Sequence, residues 1–236
     1  MSVLKAIFFD IDDTLYSTSL FASRARHNSI RAMISLGLNL PEKILSKELE
    51  EVIREFSSNY EHHFDKLLLR IPKRSYEGIN PSVLVAGAVI AYHETKSREL
   101  VPFPDVSFIL KALSKTDLIR GVITDGLSIK QIEKLIRLKI YHFFTPRAIF
   151  ISDEIGISKP NIKLYQHICD ELNLLPQEVM YIGDDPVNDI DPAKTVGMIT
   201  VLSRRGKKHL SRHGRLKPDY RIDNFSQLLK IIKAKL

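Results

Sequence analysis

A short apolar and aromatic run at residues 3–9 breaks into three aspartates within four positions, Asp10, Asp12 and Asp13. Its length and composition predict a buried β-strand. No convincing strand pattern follows between about residues 17 and 100. Because an isolated strand has no pairing partner, this one has to pair with strands far along the chain. That requirement constrains the fold more than any other feature of the sequence.

Beyond residue 100, strand-like and helical patterns alternate. Such alternation predicts βαβ units and a parallel sheet. We therefore expect an α/β fold, a doubly wound, Rossmann-like parallel sheet formed by residues 1–16 and 101–236. The predicted strands of this core domain are residues 3–9, 118–124, 147–151, 178–182, 198–202 and 220–222. One of the helices predicted between them is residues 187–196.

The stretch between the two parts of the core domain, residues 17–100, has helical periodicity throughout. One of its helices begins with Pro41, followed by acids in the first turn, a typical start signal. We expect a small all-helical domain inserted after the first strand. Its predicted helices are residues 20–36, 41–56, 59–69 and 82–100.

The composition excludes several classes of protein. With one cysteine, Cys169, the chain cannot form an intramolecular disulfide, and a structural zinc site would lack its usual thiolates. The apolar run near the N-terminus is too short for a signal peptide. The longest apolar run, residues 83–92, is too short to span a bilayer. We therefore expect a cytoplasmic protein that does not associate with a membrane; the sequence does not indicate its oligomeric state.

The net charge of +7 comes from one segment, residues 203–217. It contains seven of the 35 basic residues and no acid, so the other 28 basic residues match the 28 acidic ones. This favours a solvated loop, or a loop that attracts anionic small molecules, over a nucleic-acid footprint. The basic residues of the segment are Arg204, Arg205, Lys207, Lys208, Arg212, Arg215 and Lys217.

Polar clusters follow four of the predicted strands. In doubly wound sheets, ligands bind outside the carboxyl ends of the strands, so chain topology alone gathers these clusters at one edge. They are Asp10–Thr14, Thr124–Gly126, Ser158–Pro160 and Gly183–Asp189.

The residue types in these clusters indicate phosphate chemistry. Several carboxylates cannot share a cleft in ionised form without a cation, and oxygen ligands without cysteine or histidine suit Mg²⁺. Lys159 adds a positive charge, and Thr124 adds a hydroxyl followed by the backbone N–H groups of Asp125 and Gly126. These groups suit a phosphoryl group.

The spacing of the first two aspartates indicates a division of labour. In an extended backbone, Asp10 and Asp12 point to one face and Asp13 to the other. One carboxylate of the pair can attack phosphorus while the other handles a proton. We expect no chemistry from Asp13, and we expect Asp191 to cap a helix near it.

Four motifs in order resemble the haloacid dehalogenase-like phosphatase superfamily. DIDDT at residues 10–14 is similar to its DxDxT signature, VITDG at 122–126 to its second motif, SKPN at 158–161 to its third, and YIGDDPVND at 181–189 to its acidic fourth. The resemblance covers nearly the whole chain, and the helical insert is similar to the small C1-type cap of that superfamily.

The resemblance implies a role for each motif residue. Asp10 would be the nucleophile that forms an aspartyl-phosphate, and Asp12 the general acid and base. Thr124 would contact the phosphoryl oxygens, together with Asp125 and Gly126, and Lys159 would steady the charge on nucleophile and phosphate.

The resemblance also implies a Mg²⁺ site. Its ligands would be Asp10, the main-chain carbonyl of Asp12, and Asp184. Asp189 is a candidate ligand, directly or through water. Asp185 is a further candidate, at a position where many relatives have asparagine.

We therefore predict a Mg²⁺-dependent phosphatase that hydrolyses a small phosphorylated metabolite, such as a triose phosphate, phosphoglycolate or a sugar phosphate. Asp12 favours a phosphatase over a dehalogenase, because halide leaves without a proton and an alkoxide does not. Two alternatives stay open: a phosphomutase of the same superfamily, and a nucleic-acid-binding protein that uses residues 203–217.

Overall fold

The computed structural model describes residues 3–57, 60–206 and 208–235. The chain divides into two compact units, one formed by Met1–Ser19 with Val101–Leu236 and the other by Leu20–Leu100. The first unit contains every strand of the described residues, and the second contains helices and turns.

Six parallel strands form one sheet in the first unit. Their order is β3-β2-β1-β4-β5-β6, the order of a doubly wound Rossmann-like sheet, so the predicted fold class is confirmed. The strands are β1 (Ala6–Phe9), β2 (Ile119–Thr124), β3 (Ile149–Ile151), β4 (Val179–Gly183), β5 (Ile199–Ser203) and β6 (Tyr220–Ile222).

Ten α-helices occur in the described part of the chain. They are α1 (Thr18–Ser35), α2 (Glu42–Phe56), α3 (His63–Arg70), α4 (Pro81–Glu99), α5 (Val106–Leu113), α6 (Ser128–Arg137), α7 (Ser152–Ile155), α8 (Ile162–Glu171), α9 (Asp191–Val196) and α10 (Phe225–Lys233). The predicted helix 59–69 begins at His63, and its first residue, Asn59, lies outside the described residues.

Alternation along β1 explains why both faces of the sheet carry helices. Phe8 joins a buried cluster with Leu164 and Ile168 of α8. Its neighbour Phe9 points to the opposite face and packs on Phe225 of α10, with ring centroids 5.6 Å apart. A central parallel strand covered on both faces is apolar at every position, and β1 is buried along its whole length.

The helical unit has a core of its own. Apolar side chains from its four helices form one buried cluster, which includes Met33, Leu49, Leu67 and Leu84. In the ranges that the structure describes, no helix has the length and apolar character needed to cross a membrane.

One predicted helix, residues 187–196, is wrong as a single element. The chain forms a π-helical turn over Pro186–Ile190 and begins α9 only at Asp191. Pro192 has no N–H and its ring clashes with the carbonyl four residues earlier, so a continuous α-helix cannot pass through it.

Candidate active site

The carboxyl ends of β1, β2 and β4 meet at the middle of the sheet. β1 pairs with β2 on one side and β4 on the other, which makes this the point where the strand order reverses. Asp10 follows β1, Thr124 ends β2, and Asp184 follows β4. The sequence clusters therefore come together at the position where doubly wound sheets bind ligands.

Three aspartates form a buried acidic cluster at this point. Asp10, Asp184 and Asp189 each offer a carboxylate oxygen, and these oxygens lie within 4.8 Å of one another. Burial and the charges of Asp10 and Asp189 raise the pKa of Asp184 to about 9. Burial also raises the pKa of Asp10 to about 7, although Lys159 opposes the shift. The cluster therefore disfavours full ionisation by itself.

Lys159 is enclosed by two of these carboxylates. Its Nζ lies 2.7 Å from Asp10 Oδ1 and 2.7 Å from Asp189 Oδ1, and its side chain is 4% exposed. Burial lowers the pKa of Lys159, but the two carboxylates outweigh burial and hold it well above its ordinary value. Lys159 is thus a fixed positive charge beside Asp10.

Asp189 is held from three sides. Besides Lys159, it accepts a hydrogen bond from the hydroxyl of Tyr181 at 2.9 Å and from the backbone N–H of Asp185 at 3.0 Å. The π-helical turn brings its side chain back over the end of β4, where a Cβ on Gly183 would lie 2.4 Å from the Asp189 Cγ. Glycine at 183 is therefore required by the closeness of Asp189.

The acidic cluster fits a divalent cation. Asp184 Oδ2 is buried and has no hydrogen-bond partner among the described residues. All the offered ligand atoms are carboxylate oxygens, which suit a hard cation. Burial is the main cause of the raised pKa values of Asp10 and Asp184, and neighbouring carboxylates add to it; a cation would offset both effects.

Asp12 does not join the acidic cluster. Its Oδ1 accepts hydrogen bonds from the hydroxyls of Tyr16 (2.5 Å) and Thr18 (2.9 Å), and both of its oxygens accept from Lys134 Nζ, at 2.8 and 2.7 Å. Burial would raise the pKa of Asp12, but Lys134 and these hydrogen bonds lower it. Lys134 was not predicted, because nothing in its local sequence separates it from a surface lysine of an amphipathic helix.

The turn after β2 differs in detail from the prediction. Thr124 is buried at the end of the strand, as expected. The backbone N–H of Gly126 donates to the hydroxyl of Ser152 (3.1 Å). The carboxylate of Asp125 accepts from the backbone N–H of Lys159 (3.1 Å), so this side chain positions the loop that carries the lysine.

The family follows from this geometry together with the sequence. A family model described as haloacid dehalogenase-like hydrolase matches residues 7–203, most of the chain. The chain belongs to the haloacid dehalogenase-like hydrolase family. The predicted resemblance is confirmed.

Relatives within the haloacid dehalogenase-like family match the chain end to end. A glyceraldehyde 3-phosphate phosphatase of Methanopyrus kandleri is 45% identical and covers 98% of each chain. One of Pyrococcus furiosus is 40% identical, over 99% of this chain and 95% of its own. A solved haloacid dehalogenase-like family hydrolase from Xanthomonas campestris has the same fold, with a TM-score of 0.70 at 18% identity over 100% and 97% of the chains. The predicted enzyme class, a phosphoric monoester hydrolase, is confirmed by the two phosphatase relatives.

Asp185, a predicted candidate ligand, is engaged elsewhere. Its Oδ1 accepts from the backbone N–H groups of Val187 (2.9 Å) and Asn188 (3.3 Å), which starts the π-helical turn. Its Oδ2 pairs with the guanidinium of Arg212. The structure places Asp185 outside the three-aspartate cluster that could hold a metal ion.

Most of the described residues in 203–217 are exposed, as expected for a solvated loop, but the side chains of Arg205 and His209 are paired with acids. Arg205 pairs with Asp105 at 2.6 Å and stacks on Phe103, with its side chain 9% exposed. His209 Nε2 lies 3.7 Å from Asp185 Oδ2. Lys207 lies outside the described residues. The sequence did not predict these contacts, because the acidic partners lie far from this segment along the chain.

Close backbone contact also holds this segment on the site. A Cβ on Gly206 would lie 2.5 Å from the carbonyl oxygen of Asp13, so only glycine fits at position 206 without a shift of the backbone. Asp191 was expected to cap its helix; its carboxylate instead accepts from the backbone N–H groups of Arg215 and Leu216, both at 2.8 Å. The segment therefore lies beside the site, and contacts near both of its ends hold it there.

Asp185 and Arg212 are expected to be energetically coupled. In a cycle of Asp185→Asn, Arg212→Gln and the double variant, the free energies of unfolding should deviate from additivity by about 0.5–1 kcal/mol, because Arg212 is partly exposed. Denaturant unfolding in low salt measures the coupling, and 1 M salt should reduce it. Additive effects at both salt concentrations would contradict the pairing.

Proposed function

We propose that this enzyme is a Mg²⁺-dependent phosphatase that hydrolyses glyceraldehyde 3-phosphate to glyceraldehyde and phosphate. The placement of Lys159 between Asp10 and Asp189, beside Asp184, supports the chemistry. The substrate is supported by the name that full-length archaeal relatives at 37–45% identity share.

In the first step, an oxygen of Asp10 attacks phosphorus in line with the leaving oxygen. The P–O bond to the triose breaks and its electron pair stays on the leaving oxygen. Asp12 gives that oxygen a proton, which it must first take up against its lowered pKa. Lys159, whose Nζ lies 2.7 Å from Asp10 Oδ1 in the structure, offsets negative charge beside the forming bond.

In the second step, a water attacks phosphorus of the aspartyl-phosphate. Asp12, now a carboxylate, takes a proton from that water, and the bond between Asp10 and phosphorus breaks. Free phosphate leaves, and both aspartates return to their starting forms. Over the two steps, one water is consumed and one ester bond is cleaved.

The remaining predicted residues complete the proposal. The hydroxyl of Thr124 and the backbone N–H of Asp125 bind the phosphoryl oxygens, whereas the backbone N–H of Gly126 stays bonded to the hydroxyl of Ser152. The carboxylates of Asp10, Asp184 and Asp189 would hold Mg²⁺, together with the main-chain carbonyl of Asp12. When bound, the cation offsets the charge of the carboxylates and of the phosphoryl oxygens.

We also propose that the helical unit is the cap domain of the family and that the enzyme acts in the cytoplasm on a small molecule. Nucleic acid is not favoured as a partner, because two arginines of the basic segment, Arg205 and Arg212, are paired with carboxylates. A phosphomutase is not favoured either, since the relatives at 37–45% identity are named phosphatases.

A panel of phosphate esters with Mg²⁺ tests the substrate. We expect kcat/KM for glyceraldehyde 3-phosphate to exceed that for dihydroxyacetone phosphate, phosphoglycolate and glucose 6-phosphate by at least about tenfold. Glyceraldehyde 3-phosphate loses phosphate spontaneously by elimination, so glyceraldehyde should be quantified alongside phosphate. Preference for another ester would overturn the substrate, and an isomerised sugar phosphate without free phosphate would overturn the reaction.

A further inference from the structure

Helix α6 supplies two neighbouring polar side chains to the edge of the sheet formed by the carboxyl ends of β1, β2 and β4. Gln131 and Lys134 are three positions apart, so both lie on the same face of the helix. Lys134 Nζ contacts both oxygens of Asp12 and lies 3.1 Å from Gln131 Oε1. These three acceptors match the three hydrogens of the ammonium group. Lys134 therefore has no donor left for a substrate.

Gln131 continues the network to the turn after β2. It is 4% exposed, and its Nε2 donates to the carbonyl oxygen of Asp125 at 2.6 Å. The carboxylate of the same aspartate accepts from the backbone N–H of Lys159. One chain of hydrogen bonds thus connects Asp12 to the turn proposed to hold phosphate and to the loop that carries Lys159.

The two oxygens of Asp12 are unequal within this network. Oδ1 accepts hydrogen bonds from Tyr16, Thr18 and Lys134, and these three donors leave it no position for a further donor. Oδ2 takes part, among the hydrogen bonds of the described residues, only in the one from Lys134. Oδ2 is therefore the oxygen with room for a proton or for contact with a reacting oxygen.

From these contacts we infer that Lys134 is a positioning residue for Asp12, supported through Gln131 by the turn after β2. The network fixes the orientation of the Asp12 carboxyl group, so that Oδ2 faces the leaving oxygen and later the attacking water. This inference rests on the proposed function, because it assigns to Asp12 the proton transfer described there. Orientation of such a group within a fraction of an ångström contributes strongly to its rate effect.

Leaving-group dependence separates this role from a merely structural one. An alkyl ester such as glycerol 3-phosphate needs a proton on its leaving oxygen, whereas p-nitrophenolate leaves with little help. We expect Lys134→Gln to lower kcat/KM for glycerol 3-phosphate by at least about tenfold, and for p-nitrophenyl phosphate by less than about threefold. Lys163→Gln, which changes an exposed lysine of α8, should alter neither.

Gln131→Leu provides a second variant in case Lys134→Gln does not fold, as judged by its melting temperature. It keeps Lys134 but removes the link to Asp125, so it should show the same selective loss to a smaller extent. Equal losses on both esters, or no loss on either in a folded variant, would overturn the inference. Failure of the proposed phosphatase reaction is distinct, because the wild-type enzyme would then release no phosphate from either ester. A different preferred substrate would leave the comparison of the two esters valid.

Discussion

Asp10→Asn is expected to reduce phosphate release by at least about a thousandfold while the protein stays folded. The amide of asparagine cannot attack phosphorus to form the acyl phosphate that the proposed mechanism requires. The substitution also removes a buried carboxyl group whose pKa is raised to about 7, so the metal-free protein should not lose stability. Activity, and not folding, is the property that changes.

The measurement is phosphate release at saturating Mg²⁺, with a melting curve for each variant. Asp170→Asn, an exposed aspartate on α8, serves as the matched control and should retain wild-type activity. Slow deamidation of the introduced asparagine would regenerate aspartate, so Asp10→Ala should be measured in parallel. Activity within about tenfold of wild type in both variants would contradict an aspartyl-phosphate on residue 10.

Asp184→Asn is expected to abolish the metal-dependent activity and, at the same time, to stabilise the metal-free protein. Asp184 Oδ2 is buried without a hydrogen-bond partner among the described residues, beside two further carboxylates. An asparagine keeps the shape and removes the charge. Loss of one ligand should reduce phosphate release by at least about a hundredfold.

The pH dependence of the stability gain follows from the direction of the pKa shift. The pKa of Asp184 rises from an ordinary 3.8 to about 9 in the folded protein. A folded protein that binds this proton more tightly than the unfolded chain loses stability as the pH rises from 3.8 towards 9. Most of that loss is present at pH 8 and little at pH 4.5. Asparagine at position 184 has no proton to lose, so the variant avoids this loss of stability.

Thermal unfolding in the presence of a chelator measures this gain. We expect Asp184→Asn to raise the melting temperature by about 5 °C or more at pH 8, and by less than half as much at pH 5. Added Mg²⁺ should stabilise the wild type and leave the variant unchanged. A variant that is less stable than wild type at pH 8 without metal, or that still responds to Mg²⁺, would contradict the assignment.

The sheet and the acidic cluster are predictable from sequence because both follow from local patterns and chain topology. The residues that follow parallel strands meet at one edge, so Asp10, Thr124 and Asp184 had to come together once the strands were identified. The predicted helix 187–196 was wrong because helical periodicity alone gave too little weight to Pro192.

The remaining partners depend on contacts between distant parts of the chain. Lys134 reaches Asp12 across 122 positions, and Arg205 reaches Asp105 across 100. Lys134 and Arg205 each have the sequence context of a solvated side chain. Whether such a charge is solvated or paired is decided by packing, which no local pattern records.

The attachment of residues 203–217 bears on how this protein can be engineered. A polar segment rich in lysine and arginine looks like a suitable place for an affinity tag or an inserted reporter, since surface loops usually tolerate additions. Here the segment is held at Gly206 and Arg212 against the loops that follow β1 and β4, and at the backbone of Arg215 against the start of α9. Tolerance to insertion in this chain is therefore governed by what the backbone is bonded to, and the most strongly charged surface segment is one of the least suitable sites for a fusion.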